Sequence, residues 1–282
     1  MGNFEIGLPA GYFAIMKKLL LIKYLLVVLS AIFLCSSCAT IQLGPSINPL
    51  EEIVLQGEGP GKILLIDVRG IINNQKDHAF TGATIALGMV EWVREVIAKA
   101  EKDDDIKALL IKVNSPGGTV TASDLILHEL LLYKKKHEIP VYVHVMDLAA
   151  SGGYYIALAG DEIVAHPTSL IGSIGVIAFK VNLENLMGKI GVDWEVVKSG
   201  DKKDFMSPFR SFTDEERMLF QKTIDNFHNR FVSIIAENRS GLDIEEVKAL
   251  ADGRVYDSTQ AMRLKLIDGI GGLWCVNVGH GR

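Results

Sequence analysis

The sequence predicts an α/β protein built on a mostly parallel sheet. Continuous apolar runs of buried-strand length occur at Lys62–Val68, Ala108–Val113 and Pro140–Val145. Buried strands that alternate with helices are typical of a parallel sheet with helices on its faces. Glycine-rich turns are predicted after the second and third strands, at Asn114–Gly118 and Ala149–Gly153. Because the carboxyl ends of parallel strands lie along one edge of a sheet, we expect these turns to be neighbours where a ligand binds.

The composition is that of a globular protein rather than a disordered one. Of 282 residues, 49% are hydrophobic and 22% are charged, and the formal net charge is −5. This charge balance argues against a nucleic-acid partner. The cysteines Cys35, Cys38 and Cys275 supply neither a disulfide framework nor the spacing of a zinc site.

Residues 1–38 have the features of an export leader, whether translation begins at Met1 or at Met16. Lysines precede an apolar core at Tyr24–Leu34, and two serines and Cys38 follow it. This order resembles a bacterial lipoprotein signal in which Cys38 is lipidated. The alternative is an uncleaved membrane anchor, for which Leu19–Cys38 has just enough apolar length. Either way, we expect the remaining chain on the extracytoplasmic side of the membrane.

The elements between the leader and Pro208 follow from periodicity and turn signals. Residues 39–61 are rich in glycine, proline, serine and asparagine and are predicted to be a linker. One helix is predicted from a cap at Ser123 to about Lys136, and another over Gly152–Ala159. An earlier helix is predicted from the spacing of Ile85, Met89, Val90, Val93 and Ile97. Short strands are predicted at Glu162–Ala165, Ile174–Phe179 and Trp194–Val197.

The chain after Pro208 is predicted to be helical. Thr213–Glu216 is a capping box, the signal of a helix start. A long amphipathic helix follows and ends near Gly241, and its apolar stripe consists of Leu219, Thr223, Phe227, Phe231 and Ile234. Two shorter helices are predicted at about Ile244–Ala251 and Ser258–Lys265.

Ser151 is the candidate nucleophile of the predicted ligand-binding edge. It lies where the third strand turns into a helix, and its small neighbours leave the hydroxyl unobstructed. A serine before a helix is by default a helix cap. The second glycine segment changes this expectation, because amides of Gly117, Gly118 and Gly152 are able to hold an oxyanion beside Ser151.

A nucleophilic serine needs a base, and the residues themselves leave several candidates. His166 follows Ser151 by fifteen residues and could complete a Ser-His-Asp site. His144 lies inside an apolar strand and is expected to be structural. The other candidates are lysines 198, 202 and 203, any of which would need a depressed pKa to accept a proton.

Five segments in order resemble the short form of signal peptide peptidase A, a Ser-Lys peptidase of family S49 with the ClpP/crotonase fold. They are Ile66–Ile72, Val113–Gly118, Ala149–Tyr155, Gly172–Val176 and Lys198–Pro208. The resemblance covers about Lys62 to Gly272. It implies repeated ββα units with a mostly parallel sheet and a C-terminal helical extension, here residues 213–265 of a peptidase domain over 62–272.

The resemblance also implies roles for individual residues. Ser151 is the nucleophile, and Lys203 of the Lys-Asp-x-x-Ser-Pro pattern is the general base. Ser173 matches a serine that orients the lysine, and Gly118 matches the oxyanion glycine. His166 falls where asparagine is common in the family, which counts against a histidine base. The reaction requires neither a metal nor an organic cofactor.

The implied partners are peptides, the membrane and further copies of the chain. Family members degrade cleaved signal peptides and other hydrophobic unfolded peptides, and the short forms are octameric rings in which serine and lysine come from adjacent subunits. The chain departs from the family in its lipoprotein-like leader and in the tail at residues 273–282, where a final helix normally follows. Three alternatives stay open: a ClpP-class membrane protease that acts with a stomatin-like partner, a crotonase-type acyl-CoA enzyme, and an inactive scaffold with a truncated C-terminus.

Overall fold

The fold is described from a computed structural model, which covers residues 20–28, 50–78 and 84–273. Residues 20–28 form an exposed helix, α1. Within the described ranges, no helix is both long enough and apolar enough to cross a membrane. Cys38, the leader boundary and the tail from residue 274 lie outside the described residues, and residues 50–61 of the predicted linker contain neither helix nor strand.

The described chain forms a mostly parallel sheet of seven strands, which confirms the predicted α/β class. Its strands are β1 (Lys62–Ile72), β4 (Ile106–Gly118), β5 (Val141–Ala150), β6 (Glu162–Ala165), β7 (Leu170–Gly172), β8 (Val255–Asp257) and β9 (Gly269–Ile270). The order β1-β4-β5-β6-β9 is parallel throughout. β7 continues the parallel pairing beside the end of β5, and β8 is antiparallel to β7. Strands β2 (Asp77–His78) and β3 (Thr84–Ala86) form a separate antiparallel pair.

Seven further helices surround the sheet. They are α2 (Met89–Ala100), α3 (Val120–His137), α4 (Gly152–Ala157), α5 (Glu184–Ile190), α6 (Asp214–Asn238), α7 (Ile244–Leu250) and α8 (Ser258–Arg263). Leu109 and Val143 of the central strands are fully buried together with Ile126 and Leu130 of α3. Each such aliphatic side chain contributes about 1.5–3 kcal/mol when it leaves water, so this core fixes the sheet edge that carries Ser151.

Two predicted boundaries were wrong near the sheet edge. Asn114–Gly118 is the end of β4 rather than a turn, because β1 extends beside it and Ile72 lies opposite Gly118. Ser123 is buried inside α3 and does not cap it. The cap is Thr119, whose hydroxyl accepts a hydrogen bond from the Ala122 amide at 3.3 Å.

Three further secondary-structure assignments were wrong. Two of them are predicted strands that have no strand beside them in the described chain. Ile174–Phe179 and Trp194–Val197 are not strands, and Ile177 is 86% and Val197 103% exposed. A strand needs a hydrogen-bonded neighbour, and within the described chain neither segment has one. Ile85 belongs to β3 and not to the following helix, which begins at Met89.

Helix α6 begins as predicted, but its apolar stripe is only partly covered. The capping box pairs Thr213 with Glu216 and satisfies both of their backbone amides at the start of the helix. Phe231 is buried against α4, whereas Leu219 and Phe227, which precede it on the stripe, are 46% and 41% exposed. Within the described chain, therefore, α6 joins the hydrophobic core only from Phe231 onward.

Candidate active site

The backbone at Ser151 holds the side chain in a strained position between β5 and α4. Its φ of 50° and ψ of −120° lie in a region that residues other than glycine rarely adopt. The Ser151 amide donates to the Gly172 carbonyl at 2.8 Å, and its carbonyl accepts from the Tyr155 amide at 2.9 Å. Although Ser151 occupies the cap position of α4, its hydroxyl makes no capping hydrogen bond. The default explanation of a helix-capping serine is therefore wrong here.

Glycines of β4 and α4 surround this serine so closely that larger residues do not fit. A Cβ atom on Gly117, where φ is +99°, would lie 2.7 Å from the Gly152 nitrogen and 2.9 Å from the Ser151 Cβ. A Cβ on Gly118 would lie 1.8 Å from the Ile72 carbonyl oxygen. A Cβ on Gly152 would lie 2.2 Å from the Ser123 Oγ and 3.2 Å from the Gly118 nitrogen. The structure thus brings Gly117, Gly118 and Gly152 together at Ser151.

The three glycines differ in what their amides are free to do. The Gly117 amide donates to the buried Ser115 hydroxyl at 3.1 Å, and that hydroxyl donates to the Gly70 carbonyl at 2.6 Å. Gly152 is the first residue of α4, where an amide has no partner within its helix. Gly152 is therefore a better candidate oxyanion donor than Gly117, whose role is to allow the close approach of the two segments. Gly118 is the donor that the resemblance implies. Sequence reasoning missed Ser115, although the Ser-Pro-Gly-Gly run signals a specialised strand end.

Ser173 lies beside Ser151 because β7 pairs with the end of β5. Ala150 is opposite Gly172, so the next residue on each strand continues the same edge. Ser173 also has a positive φ, 49°, and its amide donates to the Arg254 carbonyl at 2.7 Å. Among the described residues, neither the Ser151 nor the Ser173 hydroxyl has a hydrogen-bond partner, so both are available to a ligand.

The two histidines are remote from this arrangement. The His166 amide bonds to the Val145 carbonyl, six residues and roughly 20 Å along β5 from Ser151. The His166 ring is exposed and bonds to the Thr168 hydroxyl at 2.9 Å. His144 is fully buried, as expected of a structural residue, and burial lowers its pKa. A Ser-His site built on either ring is inconsistent with this geometry.

The three candidate lysines differ in their partners. Lys198 bonds to the Asp204 carboxylate at 2.8 Å, and Lys202 lies 3.0 Å from the Glu215 carboxylate. The Glu215 partner raises the pKa of Lys202. Lys203 is exposed, and its amine makes no hydrogen bond or ion pair among the described residues. In particular, that part of the chain contains no hydrogen bond between Lys203 and Ser151.

Two adjacent tyrosines fix the helix that follows Ser151. The Tyr154 hydroxyl donates to the Leu266 carbonyl at 2.7 Å, and the Tyr155 hydroxyl donates to Asp124 at 2.6 Å. Burial and the Asp124 carboxylate raise the pKa of Tyr155, so it stays protonated and keeps this bond. Sequence reasoning placed both residues in the motif but gave them no role.

Comparisons with known proteins match the regions that build this site. The Clp protease family model matches residues 67–171, in agreement with the predicted ClpP-like fold, and the model of peptidase family S49 matches residues 133–276. A relative from Enterococcus faecium, which bears the name signal peptide peptidase SppA, is 37% identical over 225 residues, covering 78% of this chain and 63% of the relative. The chain thus spans less than two thirds of that relative's length.

Two more relatives carry protease names. One from Methanocaldococcus jannaschii is 34% identical over 256 residues, covering 91% of this chain and 79% of the relative. The chloroplastic serine protease SPPA of Arabidopsis thaliana is 34% identical over 218 residues, covering 76% of this chain and 31% of that protein. These matches confirm the family predicted from the five ordered motifs and favour a serine peptidase over the acyl-CoA alternative. This chain belongs to peptidase family S49.

Proposed function

We propose that the chain is a serine endopeptidase in which Ser151 is the nucleophile and Lys203 the general base. The observation that carries the proposal is the strained Ser151, whose hydroxyl is unused by α4 and whose Cβ lies in a tight cluster with Gly117 and Gly152. Strain of this kind costs about 1–3 kcal/mol, and proteins retain it where a reactive group must be presented.

In the proposed reaction, the neutral Lys203 amine takes the Ser151 proton as Oγ bonds to the scissile carbonyl carbon. The Gly118 and Gly152 amides bind the oxyanion, and each such donor is worth about 3–4 kcal/mol in related hydrolases. The lysine ammonium then gives its proton to the leaving amine, and water releases the acyl group by the same route in reverse. In this proposal, Ser173 hydrogen-bonds the lysine and orients it.

The choice of Lys203 is supported by the partners of its neighbours. A base must be neutral to accept a proton, and a bonded carboxylate stabilises the ammonium form instead. Lys198 and Lys202 are each bound to a carboxylate, whereas Lys203 has none among the described residues. Lys203 is thus the lysine of this segment whose amine can reach a serine hydroxyl without first breaking an ion pair among the described residues.

We further propose that Lys203 reaches Ser151 of an adjacent copy in a ring-shaped homo-oligomer. An exposed apolar segment, residues 177–197, precedes the lysine and supports this proposal. Its bare side chains include Ile177, Phe179, Val181, Ile190 and Val197, which are 60–103% exposed. A second copy seated on this segment removes apolar surface from water and desolvates the lysine at the same time.

The proposed substrates are hydrophobic unfolded peptides, including signal peptides that remain in the membrane after cleavage. The name of the Enterococcus faecium relative supports this substrate class. A leader that holds the catalytic domain on the extracytoplasmic side would keep the enzyme close to such peptides. Mass spectrometry of the mature amino terminus tests whether Cys38 is the lipidated residue.

The proposed function is tested by cleavage of a hydrophobic fluorogenic peptide by the full chain purified in detergent. We expect Ser151→Ala and Lys203→Ala to lose activity by at least about 10³-fold, while the adjacent control Lys202→Ala retains most of it. Equal cleavage by all variants would contradict the assignment. Restored activity on mixing the two inactive variants supports shared sites, and no restoration in a mixed oligomer would contradict them.

A further inference from the structure

The segment that carries Lys203 has little structure of its own to hold it in place. Residues 191–213 contain neither helix nor strand. Short turns bond the Lys203 amide to the Gly200 carbonyl at 3.1 Å and the Ser207 amide to the Asp204 carbonyl at 2.9 Å. Because the Lys203 side chain has no partner among the described residues, its position depends on how its neighbours are attached.

Asp204, the residue after Lys203, is the buried attachment point. Its side chain is 8% exposed and accepts bonds from three nitrogens on two cations. Arg210 donates from Nε to Oδ2 at 3.0 Å and from Nη2 to Oδ1 at 2.8 Å, and Lys198 donates to Oδ1 at 2.8 Å. These bonds hold the pKa of Asp204 far below its usual range, so it remains ionised.

Arg210 also binds the first turn of α6. Its Nη1 and Nη2 donate to the two Glu216 oxygens at 2.8 and 2.6 Å, and Glu216 is 4% exposed. Glu216 is itself fixed, because it closes the capping box with Thr213. The guanidinium thus bridges two buried carboxylates, and its planar fork suits this double bidentate contact in a way that a lysine does not.

The other end of the same helix is attached to the nucleophile's helix. Arg230 of α6 donates twice to the Asp124 carboxylate, at 2.7 and 3.0 Å, and Tyr155 of α4 donates to the same oxygen. The Phe231 ring lies 4.9 Å from the Tyr155 ring. Helix α6 therefore connects the segment of the base, through Arg210, with the helix that follows Ser151.

We propose that Arg210 is a positioning residue for the Ser–Lys reaction, a role that rests on the proposed function. By binding Asp204 to α6 it holds Lys203 in a fixed place, and it keeps the Asp204 carboxylate from pairing with the adjacent Lys203 amine. Both effects favour the neutral, correctly placed amine that the reaction needs. A carboxylate released beside Lys203 would stabilise the ammonium and raise the pH at which the base becomes active.

The other charged groups near Lys203 stay the same in the variants that test this proposal. They are Lys198, Asp201 and Lys202 on its own segment, Glu215 and Glu216 on α6, and Lys180, whose amine donates to the Phe205 carbonyl at 3.1 Å. The test compares kcat/KM for the fluorogenic peptide as a function of pH in wild type, Arg210→Gln, Asp204→Ala and the double variant. Arg94→Gln is the matched control, because it removes an arginine–glutamate pair between α2 and α3.

We expect Arg210→Gln to shift the midpoint of the acidic limb, on which activity rises with pH, upward by about one pH unit, which lowers kcat/KM about tenfold below the midpoint. The double variant should return the midpoint to the wild-type value while kcat stays reduced. If Arg210 had a purely structural role, Arg210→Gln would lower kcat/KM at every pH without shifting the midpoint. Adding Asp204→Ala would then leave the midpoint unchanged as well. Either an unshifted midpoint in Arg210→Gln or an unrestored one in the double variant overturns the proposal.

Two further arms separate the possible failures. If Arg210→Gln does not fold, Arg210→Met takes its place, since it also removes the cation from Asp204 and is similar in length, and an unshifted midpoint in that folded variant overturns the proposal. Ser151→Ala and Lys203→Ala are measured in the same series. If both cleave at the wild-type rate, the proposed function fails; if both are inactive while Arg210→Gln matches wild type, only the role of Arg210 fails.

Discussion

The nucleophile and the proposed base are held by different forces. Ser151 sits between fully buried Ala149 and Tyr154, and its backbone is hydrogen-bonded on both sides to neighbouring elements. Lys203 lies on a segment whose apolar neighbours, such as Val197, are exposed and whose anchor is ionic. The core of one chain is thus sufficient to shape the candidate nucleophile, whereas the proposed base lies between a charge network and apolar side chains that are exposed in the described chain.

The largest effect is expected at the nucleophile, where there is no room for adjustment. Gly117→Ala combines a positive φ with a Cβ at 2.7 Å from the Gly152 nitrogen. The resulting displacement of Ser151 and of an oxyanion donor should lower kcat by about 10²-fold or more. Steady-state kinetics checks this, with Gly59→Ala in the linker as the control, since its Cβ meets no atom closer than 4.0 Å. If Gly117→Ala lowered kcat only slightly, the backbone around Ser151 would be able to move aside, and the nucleophile would not be rigidly held.

The second effect concerns the surface near the base. Val197→Asp places a charge at a fully exposed position, so the stability of a single protomer should change by less than about 0.5 kcal/mol. If a second copy covers this segment, the charge opposes assembly, and both the oligomer and the activity are lost. Sedimentation of the full chain in detergent measures the oligomeric state, and peptide cleavage measures the activity. Val54→Asp is the matched control, at a valine of the linker that is 75% exposed, and identical behaviour of the two variants would exclude the segment as an interface.

The third effect is a gain of stability at the cost of function. Ser151 adopts a φ of 50°, which glycine tolerates without strain. Ser151→Gly should therefore raise the free energy of unfolding by about 1 kcal/mol and abolish cleavage. Ser151→Ala should also be inactive but without this gain, because alanine keeps the Cβ. Urea denaturation of both variants checks the difference, and equal stabilities would mean that the backbone at Ser151 is unstrained.

The contrast between the buried surroundings of Ser151 and the exposed segment before Lys203 also explains which strands could be predicted from the sequence. The strands around Ser151 were predicted because a buried strand leaves a continuous apolar run, as in Lys62–Val68. Ile174–Phe179 and Trp194–Val197 carry the same kind of pattern but are exposed within the described chain. Local hydrophobicity does not distinguish an apolar side chain that is buried by its own chain from one that stays exposed in the described chain. The strand assignments were therefore right in the core and wrong beside the base.

The candidate site could likewise be predicted only in part. Ser151 and its glycines are signalled by short local motifs, and the structure brings them together. Lys203 was selected by the resemblance, and the ion pairs of Lys198 with Asp204 and of Lys202 with Glu215, which support this choice, depend on loop geometry that no local pattern encodes. For the same reason, Arg210 and Ser115 were missed. Spacing alone cannot indicate which charges a turn brings into contact.

The smallest effect tests the rigidity of the core behind Ser151 through pH. His144 on β5 is fully buried; its Nε2 donates to the Gly271 carbonyl at 3.1 Å, and its Nδ1 has no partner among the described residues. Burial, with a smaller contribution from His166, lowers its pKa below the ordinary value of 6.5. The unfolded chain then binds a proton near pH 6.5 that the folded chain does not yet accept.

Stability contributed by neutral His144 is thus complete above about pH 6.5 and declines as the pH falls below it. The slope cannot exceed about 1.4 kcal/mol per pH unit for one group. Urea denaturation at pH 7.5 and 5.5 should show a loss that His144→Gln reduces, whereas the control His166→Gln, at an exposed ring, leaves it nearly unchanged. If His144→Gln and wild type lose stability in parallel, water or a partner reaches the ring, and the strand that presents Ser151 is more open than its burial indicates.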